Sequence, residues 1–137
     1  MKNLKSKIRQ GIKGYSPQEM YEHTMREGGS TARKTMLGGV KHRQYGKGYQ
    51  VALGQQYERA VAPEPKAFAE AYKQTQKQFG RKKDIGTWLD KDINKIVIEP
   101  SEVMSSKQKA LDIGRKRKQK EVWGFREKKG FPTGYKG

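Results

Sequence analysis

The stretch DIGTWLDKDINKIVIEPSEVMSSKQKALDIGRKRKQKEVWGFR, residues 84–126, changes its hydrophobic period twice. Asp84–Asp90 and Lys95–Pro100 are rich in β-branched and aromatic residues and are separated by a turn around Lys91–Asn94, which predicts a β-hairpin. Ser105 and Gln108 then stand in capping-box spacing, and Ala110, Leu111 and Gly114 fall on one face of an amphipathic helix over 105–120. Glu121–Arg126 returns to strand composition and is read as the last strand, so this third of the chain is a ββαβ module. Strands with an interposed helix and no βαβ repeat place the chain in the α+β class.

Upstream, Lys66–Gly80 sets Phe68, Tyr72, Thr75 and Phe79 on one stripe with Glu70, Lys73 and Lys77 opposite, which predicts a helix ending at Gly80. Tyr49–Gly54 and Gln55–Val61 read as short strands paired about Gly54. Further back, Ser16 can cap, Pro17 suits the first helical position and Glu19 completes a capping box, with Tyr15 and Met20 spaced as a hydrophobic staple. That helix runs to Glu27 and stops at Gly28, with Met20, Tyr21, Thr24 and Met25 on its buried side. The expectation is an α+β protein with a small sheet and two to three helices: a flexible basic arm at 1–15, a single domain at 16–125, and a basic glycine-rich tail at 126–137.

The core must be small. Leu, Ile, Val and Phe number 22 of 137 residues, about 16%, below the roughly 20% under which a highly charged chain struggles to bury enough apolar surface. The net charge of +17 opposes compaction unless a polyanion neutralises it. Acidic islands at 16–27 and 84–102 separate the basic regions. Nucleic acid, DNA or RNA, or a nucleoprotein complex is the partner this balance implies. No run is apolar enough for a membrane span or a signal peptide, so no membrane partner is expected, although Leu4, Ile8 and Ile12 recur at helical spacing in the arm. The absence of cysteine removes disulfides and thiolate chemistry and fits a reducing compartment.

Two segments carry the candidate binding residues. Residues 28–57 hold no carboxylate and interleave glycines with Arg33, Lys34, Lys41, Arg43, Tyr45, Lys47 and Tyr49. Backbone N–H groups and cations there suit phosphates, and tyrosine faces suit bases. Gly48 stands where a nucleotide hydrolase loop needs Ser or Thr, so that motif is absent. The helix after 105 adds Lys109, Arg115, Lys116, Arg117, Lys118 and Lys120, with Lys109, Lys116 and Lys120 projected away from the apolar face.

The combination IGTWLD, IVIEPSEVMSSKQKALDIGRKRKQKEVW and PTG, with HTMREGGST near the front, resembles a module of small tailed-phage and mobile-element proteins carrying a GTW-D hairpin and an AL--GR----Q helix. The resemblance covers about half the chain. It implies a mobile-element origin, a place in the host cytoplasm or the virion, and a sharper expectation: inhibition of a host defence effector such as a CRISPR nuclease, in the manner of an anti-CRISPR protein. It brings no catalytic residues.

Enzymatic constellations are few, and the expectation is a protein with no catalytic activity, no cofactor and no metal. Only His23 and His42 are present. His42 with Lys41, Arg43 or Tyr45 is the one arrangement that could serve a metal-independent RNase, and His23 is expected on an exposed helix face between Glu19 and Glu27. Asp84, Asp90, Asp92 and Glu99 gather at the hairpin, where strand ends put them at the solvent edge. Trp88, Trp123 and Phe125 are read as core before they are read as base-stacking platforms. A structural role inside a virion or ribonucleoprotein is the alternative to direct nucleic-acid binding.

Overall fold

A computed structural model describes residues 16–34, 40–43 and 45–137, which form three α-helices and eight strands. The basic arm expected at 1–15 lies outside the described residues. Helix α1, Pro17–Glu27, begins as its sequence dictates: Ser16 Oγ accepts from the Glu19 amide at 3.1 Å, and Glu19 accepts from the Ser16 amide at 3.3 Å. It ends on Gly28 at φ 87°, whose N–H donates to Thr24 O. Met20 and Thr24 are buried and Tyr21 is partly buried, whereas Met25, expected beside them, is exposed.

The glycine-rich stretch is more ordered than its composition suggests. It supplies β1, Gly29–Lys34, and β2, Val40–His42, neither legible in the sequence, and then β3, Tyr49–Ala52. A short 3₁₀ turn at Gln55–Tyr57 leads to β4, Arg59–Val61. Strands β3 and β4 do not pair with one another as expected. Each instead lies against β6, Lys95–Met104, β4 beside residues 96–98 and β3 beside residues 101–104. Helix α2, Pro65–Phe79, precedes β5, Asp84–Asp90, which makes the expected hairpin with β6.

The C-terminal module carries three corrections. Helix α3 spans Lys107–Lys116, capped by Ser106 rather than Ser105, so Lys120 falls beyond it. Strand β7, Glu121–Gly124, is separated from β6 by β3. Nor is β7 the last strand: within the segment expected as a basic tail, Lys129–Pro132 forms β8 against it, and buried Thr133 donates to Gln119 O at 2.5 Å.

The antiparallel sheet runs β2-β1-β5-β6-β3-β7-β8. Alternation along the strands sorts the side chains onto two faces. On one, Phe68, Ala71 and Tyr72 of α2 and Met20 of α1 pack against Ala32, Ile85, Ile96 and Ile98. On the same face Ala110 of α3 packs on Val51 and Val122. Gly114 lets α3 sit close, since a Cβ there would lie 2.9 Å from Thr133 Cγ2 and 3.0 Å from Val122 Cγ1.

All three helices therefore cover one face and leave the other to the loops. That second face is concave. Gln50 on β3 donates to Ser101 on β6 at 2.7 Å and accepts from Thr31 on β1 at 3.1 Å. In a flat sheet β3 and β1 would stand three spacings apart, about 14 Å, beyond a glutamine's reach. Gly86 makes room for this bridge, because a Cβ there would lie 2.7 Å from Gln50 Nε2.

Candidate nucleic-acid interface

The seven residues singled out in the glycine-rich stretch do not converge on one ligand. Arg33, Arg43 and Tyr45 gather on the concave face around Asp84, which is fully buried at the start of β5 rather than at the solvent edge. Arg33 Nε donates to one carboxylate oxygen at 2.7 Å and Tyr45 Oη to the other at 2.6 Å, while Arg43 Nε donates to Tyr45 at 3.3 Å. Burial, and then donation to Asp84, raise the Tyr45 phenol above its ordinary pKa. These residues satisfy a buried charge before they meet any ligand, so their first role is structural.

The others are dispersed. Lys34 lies opposite Val40, on the helix-covered side of β1, while exposed Lys41 lies on the concave side of the edge strand. Tyr49 belongs to the α3 cluster, edge-on to Phe131 at 5.9 Å and donating to Glu127 at 2.9 Å. Lys47 is exposed in the loop before β3.

The two histidines meet each other. His23 on α1 and His42 on β2 pack at 4.2 Å between ring centroids, so His23 is not the simple surface residue expected. Burial holds both below the ordinary imidazole range, with Arg26 adding to this at His23, and His23 at His42. A phosphate has no space between rings this close. His42 also points to the opposite side of β2 from Lys41, one of the cations an RNase reading would recruit.

Around α3 the arginines and lysines separate. Arg115 donates to Asp112 at 2.8 Å and to Thr133 O at 2.9 Å, tying the helix to the segment after β8. Arg117 donates to Glu102 at 2.8 Å and to Ala52 O at 3.4 Å, tying it to the sheet. Burial alone would raise the Glu102 carboxyl, but Arg117 and Lys83 together hold it below the usual range. Lys109, Lys116, Lys118 and Lys120 are exposed, as are Lys128 and Lys129 at the β7–β8 turn.

Two of these lysines occupy left-handed backbone. Lys118, at φ 61°, closes a Schellman motif in which its N–H meets Arg115 O at 3.1 Å and that of Gln119 meets Gly114 O at 2.8 Å. Lys128, at φ 55°, sits in the turn between β7 and β8. Glycine is the favoured residue at such positions.

The remaining carboxylates collect at the other end of the concave face. Glu99 lies opposite Gly86, with Glu58 beside it, and burial together with the Glu58 charge pushes the Glu99 carboxyl from 4.5 up to about 8. Burial and Asp90 raise Glu58 as well. Asp90 performs the turn chemistry expected of it, accepting from the Asp92 amide at 3.0 Å. Among the described residues no group of three or more His, Asp or Glu is placed to hold a metal, and no helix is long and apolar enough to cross a membrane.

The raised Glu99 carboxyl gives a pH signature. The folded protein holds this proton more tightly than the unfolded chain, so its contribution to stability is complete below about pH 4.5 and is lost as pH rises through about 8. Glu99→Gln cannot ionise. Thermal melts should show the variant gaining on the parent between pH 5 and 8.5; parallel curves would mean that Glu99 ionises freely in the fold.

Sequence reasoning missed Asp84, the hub of the concave face, and Gln50, which spans it. The pattern carried no signal for either: an aspartate at a strand start looks like a turn residue, and a glutamine in a short strand looks like a solvent-facing one. Comparison with protein-family models, curated proteins and solved structures finds no match to the chain, so its own geometry carries the functional reading.

Proposed function

We propose that this protein binds nucleic acid without catalysing a reaction on it, through the lysines on and just after α3 and those of the β7–β8 turn. The observation that carries this is the division of labour among the cations there. Arg115 and Arg117 are spent on fastening the helix, Arg115 to Asp112 and Arg117, with Lys83, to Glu102, whereas Lys109, Lys116 and Lys118 stand exposed at the surface. A lysine is a compact charge that holds a phosphate without bidentate geometry, so the surface suits backbone contact rather than base readout. Pairing the lysines with phosphate also relieves the self-repulsion of a chain at +17.

The left-handed lysines allow stability and binding to be separated. Lys118→Gly and Lys128→Gly should each stabilise the fold by about 0.5–1 kcal/mol, because glycine enters this conformation without the steric cost of a Cβ. Each should also weaken binding a few-fold through the lost charge. Thermal melts and fluorescence anisotropy with a labelled oligonucleotide at 50 mM salt measure both effects. Variants that melt higher and bind as tightly as the parent would remove these lysines from the interface.

A further inference from the structure

We infer that the ligand is single-stranded nucleic acid, with a base stacked on Trp123 at the rim of the concave face. This rests on the nucleic-acid-binding reading above and adds the form of the ligand and the residue that recognises it.

Trp123 was expected in the core, yet it is 43% exposed. Its neighbour across β8 is Gly130, which has no side chain to cover the indole, and across β3 it is Gln50, whose amide is committed to Ser101 and Thr31. Just past the end of β7, Phe125 packs on Tyr45 at 5.0 Å, and the Arg43 guanidinium lies 5.3 Å from the Tyr45 ring centre.

An open indole thus begins a row of aromatic rings that ends under a cation. Cations also bracket this strand along the chain: Lys120 immediately precedes it, and Arg126 and Lys128 lie in the turn that follows. An aromatic face between phosphate-binding cations is the arrangement that takes an unpaired base, since the faces of bases inside a duplex are covered by their own stack. Glu121, on the same side of β7, leans over the Gly130 position and offers an acceptor to base N–H groups.

The second exposed tryptophan provides the contrast. Trp88 is 40% exposed on the same face, but Asp90 is its neighbour along β5, and Glu58 and Glu99 stand nearby. Asp90 stands beside Trp88 as Glu121 stands beside Trp123, so it is the aromatic row leading to Tyr45 and Arg43 that assigns stacking to Trp123.

The chain has two tryptophans, so Trp88→Phe leaves Trp123 as the only indole reporter while retaining binding. Titrating this variant at low salt with a 15-nucleotide oligothymidylate should quench Trp123 emission, whereas a 15-base-pair duplex of equal length should leave it nearly unchanged. Trp123→Ala should weaken binding of the single strand by between about five- and 150-fold, and Trp123→Phe should recover part of the loss. Duplex and single strand bound equally, with no quenching and no effect of Trp123→Ala, would overturn the stacking inference while leaving the lysine surface in place. Failure of the Trp88→Phe protein to bind either form at low salt would overturn both readings.

Discussion

Raising the salt from 50 to 200 mM is expected to weaken nucleic-acid binding by about three to five orders of magnitude, the loss that follows when roughly six to ten phosphates are neutralised and their counterions released. The exposed lysines on and just after α3 and of the β7–β8 turn, with Lys41 on the concave side of β2 and Lys47 in the loop before β3, supply cations in that number. Because lysine holds phosphate as a compact charge without bidentate geometry, the dependence should be similar for unrelated oligonucleotide sequences of one length. Anisotropy titrations at four salt concentrations give the slope directly. A flat response would mean that a phosphate backbone is not what this surface meets.

The second large effect concerns the fold. Phe68 is completely buried on α2, where it stacks on Tyr72 at 5.5 Å and meets Tyr21 of α1 edge-on at 5.8 Å, so one ring joins both helices to the sheet. Phe68→Ala should cost about 3–5 kcal/mol, from lost transfer energy and the cavity left behind. Domains are stable by only about 5–15 kcal/mol, and this one has a small core and strong self-repulsion, so the variant should populate unfolded states at low salt. Urea denaturation should show a lowered midpoint with an unchanged slope. A loss under about 1 kcal/mol would mean that the α2 contact is not what organises the core.

Legibility in the sequence followed the range of the signals. Capping and periodicity are local, and they located α1 from Ser16 and Glu19, α2 from the Phe68 stripe, and the β5–β6 hairpin from its composition. The sheet's connectivity is not local. That β3 would insert between β6 and β7, and that β4 would pair with β6 rather than with β3, depends on which edges of a ten-residue strand are free, and no short window records that. β1 and β2 were hidden because glycine and charge usually mark a loop. Here Gly29 is needed in the strand, where a Cβ would come within 3.0 Å of Thr87 O.

The candidate site divides in the same way. Lys109 and Lys116, opposite Ala110 and Gly114, were legible because a helix wheel places them, and they are exposed in the structure; Lys120, projected with them, lies beyond the helix end. Arg115 and Arg117, equally basic in the sequence, are tied to Thr133 O and to Glu102, whose positions only the fold decides. Trp88 and Trp123 were assigned to the core on size alone. A core built from Phe68, Tyr72, Met20 and the isoleucines of β5 and β6 left them outside, and the face they occupy became a candidate surface.

The phosphate contact of Lys109 and Lys116 on α3, and of Lys120 just beyond it, carries the proposed function. Its most direct test is the dependence of log K on log salt for the parent and for a variant with Lys109→Gln, Lys116→Gln and Lys120→Gln combined, all three exposed and remote from the core. The variant should fold normally and show a slope shallower by about two to three, close to one released counterion for each lost contact. A slope identical to that of the parent would show that these lysines do not touch the nucleic acid and would contradict the account.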